Sequence, residues 1–145
     1  MQSGGGREVS ARGDDYFAAF DEATGAVGAA LAIQRAAFST KWPRGADVRL
    51  RIGLHRGRPE LTETGYVGIS VHAAARICFA AHGNQIILSG AVRSAVADSL
   101  EDDLTLTSLG DWRFRGLPEP IPMFQVEAPG LPSDFPPLRS GALAD

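Results

Sequence analysis

The stretch Val48-Arg49-Leu50-Arg51-Ile52-Gly53-Leu54-His55 decides the fold. Val48, Leu50, Ile52 and Leu54 alternate with Arg49, Arg51, Gly53 and His55, the two-residue period of a strand with one buried face. Downstream, Val71 to Ala81 reads as a helix with Val71, Ala75, Cys78 and Phe79 directed inward, and Gly83-Asn84 ends it. Gln85-Ile86-Ile87-Leu88-Ser89 is a short apolar run between turn residues, which suits a buried strand.

Upstream, Glu8 to Ala11 and Tyr16 to Phe20 flank Arg12-Gly13-Asp14-Asp15, a cluster of the kind that turns a hairpin and sets Asp14 at its tip. Asp21 is a good N-cap for a helix from about Glu22 to Phe38. Its apolar stripe is Val27, Leu31 and Phe38 with Ala23, Ala30 and Ala37. Pro59 to Gly68 reads as a polar loop. Ala91 to Leu100 repeats apolar residues at helical spacing, and Leu104 to Leu109 and Met123 to Val126 supply two further strands. The predicted order is β-β-α-β-α-β-α-β-β. From Ala128 the composition turns to proline and small residues, so residues 1–127 are expected to form one domain and 128–145 a proline-rich tail with no core to join.

A chain of 145 residues is long enough for one core and short for two. Its formal charge of −3 comes from interspersed signs, with no basic face for nucleic acid. One cysteine, Cys78, closes no internal disulfide, which fits a reducing cytoplasm. The most apolar segment, Ala26 to Phe38, is interrupted by Gln34 and Arg35, so no membrane span is expected.

Three stretches in order carry a resemblance: Gly13-Asp14-Asp15-Tyr16-Phe17-Ala18-Ala19-Phe20, Arg51-Ile52-Gly53-Leu54-His55-Arg56-Gly57, and Gly68-Ile69-Ser70-Val71-His72-Ala73-Ala74-Ala75-Arg76-Ile77. Followed by Ala81 to Ser89, they resemble the catalytic domains of bacterial class III adenylyl and guanylyl cyclases nearly as far as Val126. The segment Leu131 to Ser140 also resembles a linker that joins such a domain to an ATPase module in some actinobacterial regulators.

The resemblance implies an α+β, ferredoxin-like cyclase fold with helices on one face of the sheet. It implies conversion of a nucleoside triphosphate, ATP or GTP and by preference ATP, to its cyclic monophosphate and pyrophosphate. Two Mg2+ or Mn2+ ions would sit at a site shared between two subunits, so a homodimer or a heterodimer with another cyclase domain is implied. Asp14 matches the second metal aspartate and Arg76 the transition-state arginine. His72 stands where the family usually has a ribose-orienting asparagine, and Arg115 where a lysine often touches the terminal phosphates. Ser10 and Gly65 occupy the two base-selecting positions, commonly lysine and aspartate. His55 matches a histidine of no assigned catalytic role and reads as structural.

The family's opening strand, which carries the first metal aspartate, and the helix after it have no counterpart ahead of Arg7. The expectation is therefore a domain that is inactive or weak as a homodimer. A non-catalytic module for dimerisation or regulation is the competing expectation.

Overall fold

The computed structural model describes residues 6–12, 15–20, 22–41, 43, 49–57, 60–62, 65–67, 69–139 and 142–143. Among them, β1 (Gly6–Arg12) and β2 (Asp15–Phe20) form a hairpin, followed by α1 (Ala23–Ser39) and β3 (Ile52–Leu54). A second hairpin, β4 (Glu60–Thr62) and β5 (Gly65–Val67), leads to α2 (Ile69–Ala80). Then come β6 (Ile86–Ser89), α3 (Gly90–Val96), β7 (Thr105–Arg113), β8 (Ile121–Glu127) and β9 (Ala142–Leu143).

The main sheet has five strands in the order β3-β6-β8-β7-β9, and each hairpin is a separate two-stranded sheet. β3 and β6 run parallel, with Gly53 opposite Ile87. A parallel pair needs a crossover, and β4, β5 and α2 supply it. The pairs β6–β8, β7–β8 and β7–β9 are antiparallel. This is the expected α+β class, with a mixed sheet.

Side chains of successive strand residues point to opposite faces, and β6 shows what each face meets. Ile86 and Leu88 are buried with Val27, Ala30 and Leu31 of α1 and Val92 and Val96 of α3. Ile87 is buried with Ile77 and Ala80 of α2, Trp112 and Met123. Helices therefore flank the sheet on both faces, α1 and α3 on one and α2 on the other, rather than on the single face expected.

Several local expectations change in the structure. Among its described residues, the alternating stretch forms a strand only over Ile52–Leu54, and Val48 lies outside the described residues. Ile52 and Leu54 do pack toward α1 and α3, but the face of Gly53 meets α2 instead of solvent. The polar loop contains the β4–β5 hairpin. β7 continues past Leu109 to Arg113. Glu22, not Asp21, is the N-cap of α1, and it makes no side-chain cap bond. In α2 the buried residues are Ala73, Ile77 and Ala80, while Phe79 is 56% exposed. In α1, Phe38 is 49% exposed and Gln34 is buried in full. The stripe continues to Gln34, while Phe38 lies in the last turn of the helix, among exposed neighbours.

Gln34 is retained in the core by hydrogen bonds. Its Nε2 donates to the Leu50 carbonyl at 3.0 Å and to the Gln85 carbonyl at 3.4 Å. Gln85 Nε2 donates to Gln125 Oε1 at 2.7 Å, and Gln125 Nε2 donates to the Ser133 carbonyl at 2.8 Å. Gln34 Oε1, by contrast, is buried without a partner among the described residues, so the bonds of Nε2 offset only part of the cost of burying the amide, while the glutamine chain as a whole joins α1, the sheet and the C-terminal segment.

The proline-rich segment does join a core. Leu138 is 7% exposed and packs with Ile77, Ala80 and Trp112. Arg139 N–H donates to the Ala80 carbonyl at 2.9 Å, and His82 Nε2 donates to the Pro137 carbonyl at 2.8 Å. The prolines bring no N–H groups that need partners, and one leucine is enough to seat the segment. Leu138→Ala is expected to cost about 2 kcal/mol, seen as a melting temperature lower by about 7 °C. An unchanged melt would mean that the segment merely rests on the surface. Among the described residues no helix is long and apolar enough to cross a membrane.

Candidate functional site

Two elements distant in sequence meet at one cleft. α2 carries His72 and Arg76, four residues apart and therefore on one side of the helix. The turn after β7 carries Arg115. Leu117 N–H donates to the Phe114 carbonyl at 3.1 Å, and Gly116 has φ +84°. A positive φ at the third residue is the signature of a type II turn, which glycine adopts without strain. Phe114, buried in the core beside Trp112 and Met123, anchors the start of this turn. Arg115, the next residue, is exposed.

Arg76, Phe79, Phe114 and Arg115 line a cleft of about 210 Å³. Among the described residues, two guanidinium-bearing residues and two aromatic rings form its walls, with no carboxylate. Such a lining suits an anion, because arginine presents a planar fork of donors that matches phosphate oxygens. It does not suit a divalent cation. Pockets that enclose a whole drug-sized ligand run to roughly 300 Å³ or more, and this smaller cleft has room for a phosphate tail. Phe79 has an Arg51 guanidinium 5.3 Å from its ring centroid, a cation–π contact that holds the exposed ring at the rim.

His72 Nε2 lies 3.2 Å from the Arg115 carbonyl oxygen. A carbonyl only accepts, so the ring nitrogen carries the proton and donates. The structure thus places His72, Arg76 and Arg115 near one another, Arg76 and Arg115 in the cleft lining and His72 against the backbone of Arg115.

Ser10 and Gly65 lie on other elements. Asp14 falls outside the described residues, between β1 and β2. Ser10 is in β1 opposite Phe17, and Gly65 opens β5 opposite Thr62. The β1–β2 hairpin packs on α1, whereas β5 packs on α2. Among the described residues no cluster of three or more histidine, cysteine, aspartate or glutamate side chains is arranged to hold a metal ion. Sequence reading missed Phe79 and Phe114 as cleft walls. Phe79 was assigned to the core, and nothing local marks Phe114.

His55 is a structural tie. Its Nδ1 is 2.8 Å from Ser89 Oγ, joining the end of β3 to the end of β6. Burial lowers its pKa from the ordinary 6.5, because desolvation penalises the imidazolium. The folded chain then binds fewer protons than the unfolded chain, so stability rises with pH. The His55 contribution is complete above 6.5 and is lost as pH falls below that value toward the folded pKa. Melting temperature should therefore drop between about pH 7.5 and about pH 5.5. His55→Asn keeps a polar group for Ser89 without a titrating ring, and its drop should be smaller. Equal drops in the two proteins would exonerate His55.

No family model matches the chain. It is 40% identical over 128 residues to the uncharacterized protein Rv0891c of Mycobacterium tuberculosis, a match covering 88% of this chain and 42% of that protein. The chain thus spans less than half the length of that relative. The adenylate/guanylate cyclase/hydrolase of Silicibacter pomeroyi superimposes with a TM-score of 0.76 and 29% identity, over 88% of this chain and 75% of that one. An adenylate cyclase of Trypanosoma brucei, in a monomeric state, superimposes with a TM-score of 0.79 and 24% identity, over 94% and 77%. In fold and in sequence, the chain is homologous to the catalytic domains of class III adenylate/guanylate cyclases.

Proposed function

We propose that this chain supplies the arginine-bearing half of a two-subunit nucleotide cyclase site. The substrate is a nucleoside triphosphate, with ATP preferred over GTP on the family resemblance. The 3′-hydroxyl oxygen attacks the α-phosphorus, the bond from that phosphorus to the bridging oxygen of the β-phosphate breaks, and pyrophosphate leaves. The hydroxyl proton passes to solvent. Arg76 bears on the charge that develops at the α-phosphoryl group, and Arg115 takes the terminal phosphates. Mg2+ or Mn2+ would activate the attacking hydroxyl and neutralise phosphate charge when bound. Asp14 is the residue of this chain that would help hold it.

The observation that carries this reading is the cleft itself, where residues 76 and 115 bring two guanidinium-bearing side chains to a space the size of a phosphate tail. The hairpin flanking Asp14 packs on α1 while the cleft borders α2, and those helices lie on opposite faces of the sheet. That separation favours a site completed by a second subunit, whose metal carboxylates face the arginines of this one. Ser10 and Gly65 cannot read a purine as lysine and aspartate would, so the preference for ATP should be slight.

The test is complementation. The chain is mixed with an intact class III catalytic domain that keeps its metal aspartates but has lost its own transition-state arginine. Manganese and ATP or GTP are supplied. Cyclic nucleotide should form in the mixture and at most weakly from either protein alone. Absence of product in every mixture, with dimerisation intact, would leave the non-catalytic reading in its place.

A further inference from the structure

We infer that His72 is a positioning residue, which latches the turn carrying Arg115 to α2 and so sets the second cation of the cleft. This rests on the reading of the cleft as a phosphate site. One contact joins the ring to the turn, the bond from His72 Nε2 to the Arg115 carbonyl, 3.2 Å long. It fixes the peptide plane between residues 115 and 116 and, through it, the direction in which the Arg115 side chain leaves the backbone. The same nitrogen lies close over Gly116, where a Cβ would come 2.7 Å from it. A side chain at 116 would push the exposed ring aside and off that bond.

The turn is otherwise held from its first residue, through burial of Phe114 and the Leu117 to Phe114 backbone bond. Nothing in that anchorage restrains the 115–116 peptide, and His72 does. His72 is exposed and is absent from the cleft lining, whereas Arg76, one turn further along the same helix, is part of it. One rigid helix therefore supplies the first cation directly and places the second through a backbone bond. Two like charges held close together repel, so their spacing has to be imposed from outside, and a helix imposes it well.

The steric contact is tested on stability alone. Gly116 and Gly130 have nearly the same φ, +84° and +86°, but a Cβ at Gly130 would meet nothing within 4 Å. Alanine at either position meets similar backbone strain, and only Gly116→Ala also strikes the imidazole. Gly116→Ala should therefore lower the melting temperature more than Gly130→Ala does. That excess should disappear when Gly116→Ala is made in a His72→Ala background. Equal losses, or an excess that survives removal of the ring, would overturn the latch.

The positioning role is tested by calorimetric binding of inorganic tripolyphosphate. His72→Ala should weaken binding about fivefold, the worth of one net hydrogen bond. It should weaken it no further once Arg115→Ala is present, and His72→Gln, whose Nε2 reaches a similar depth, should restore most of the loss. Losses that multiply between His72→Ala and Arg115→Ala would overturn action through Arg115. Wild-type protein that binds no tripolyphosphate would overturn the phosphate reading and the positioning role with it, while the stability cycle still decides the latch.

Discussion

In the complementation mixture, Arg76→Ala is expected to cut product formation at least about a hundredfold, the usual cost of removing one donor from a developing charge in a closed site. Arg76 sits in the second turn of α2, partly buried, with Phe79 and Phe114 as the apolar walls beside it. Low polarity around the guanidinium strengthens its field at the phosphoryl group and costs no reorganisation as charge builds. The loss should appear in turnover rather than in apparent affinity. Arg115→Ala should behave differently, raising the apparent KM by about tenfold, because terminal phosphates carry their charge before and after the reaction. Arg76→Lys should recover little, since an ammonium does not reproduce the two-pronged geometry. Equal kinetic effects of the two alanine variants would contradict the assignment of separate roles, and a loss of thermal stability in Arg76→Ala would point to a structural one.

Gly53→Ala should be the most damaging conservative change to the fold. A Cβ on Gly53 would lie 2.5 Å from the backbone nitrogen of Cys78, 2.6 Å from its Cα and 3.0 Å from the Ile77 carbonyl carbon. All three are helix backbone atoms, which cannot turn aside as a side chain can. β3 and α2 would have to separate and open the cluster around Ile77 and Ile87. Overpacking of this kind costs about 3 kcal/mol, which for a chain of this size lowers the melting temperature by about 10 °C. Gly28→Ala provides the contrast. Gly28 lies in α1, where a Cβ would meet nothing within 4 Å, and alanine is about 1 kcal/mol better than glycine inside a helix. That variant should melt about 3 °C higher. If the two substitutions shift the melt alike, the close approach of β3 to α2 is not what the geometry indicates.

The cleft shows how far local pattern reaches. His72 and Arg76 share a side of α2 because they are four residues apart, and that much follows from spacing. Arg115 lies 39 positions beyond Arg76, and only the family resemblance related them. What brings them together is burial of Phe114 against Met123 and Trp112, a contact that no periodicity announces. The inward face of α2 was misread for a related reason. Val71, Ala73, Ala74, Ala75, Ile77, Cys78, Phe79 and Ala80 wrap apolar surface almost fully around the helix, and a pattern without a polar side has no direction. Gly53 broke the tie, since it admits the helix backbone on the Ala73, Ile77 and Ala80 side and leaves Phe79 at the rim.

By itself, the sequence determined the main helices, the strand–helix–strand seed around Gly53, and the hairpin that opens the described chain. These depend on interactions between near neighbours, where side-chain period and turn residues suffice. Tertiary structure alone decided that Gln34 enters the core, that Leu138 seats the proline-rich segment against α2, and that residues 76 and 115 face one space. Each of those depends on a partner far along the chain, such as the Leu50 carbonyl, an apolar slot beside Trp112, or a turn held by an imidazole, and a partner of that kind exists only once the sheet has assembled.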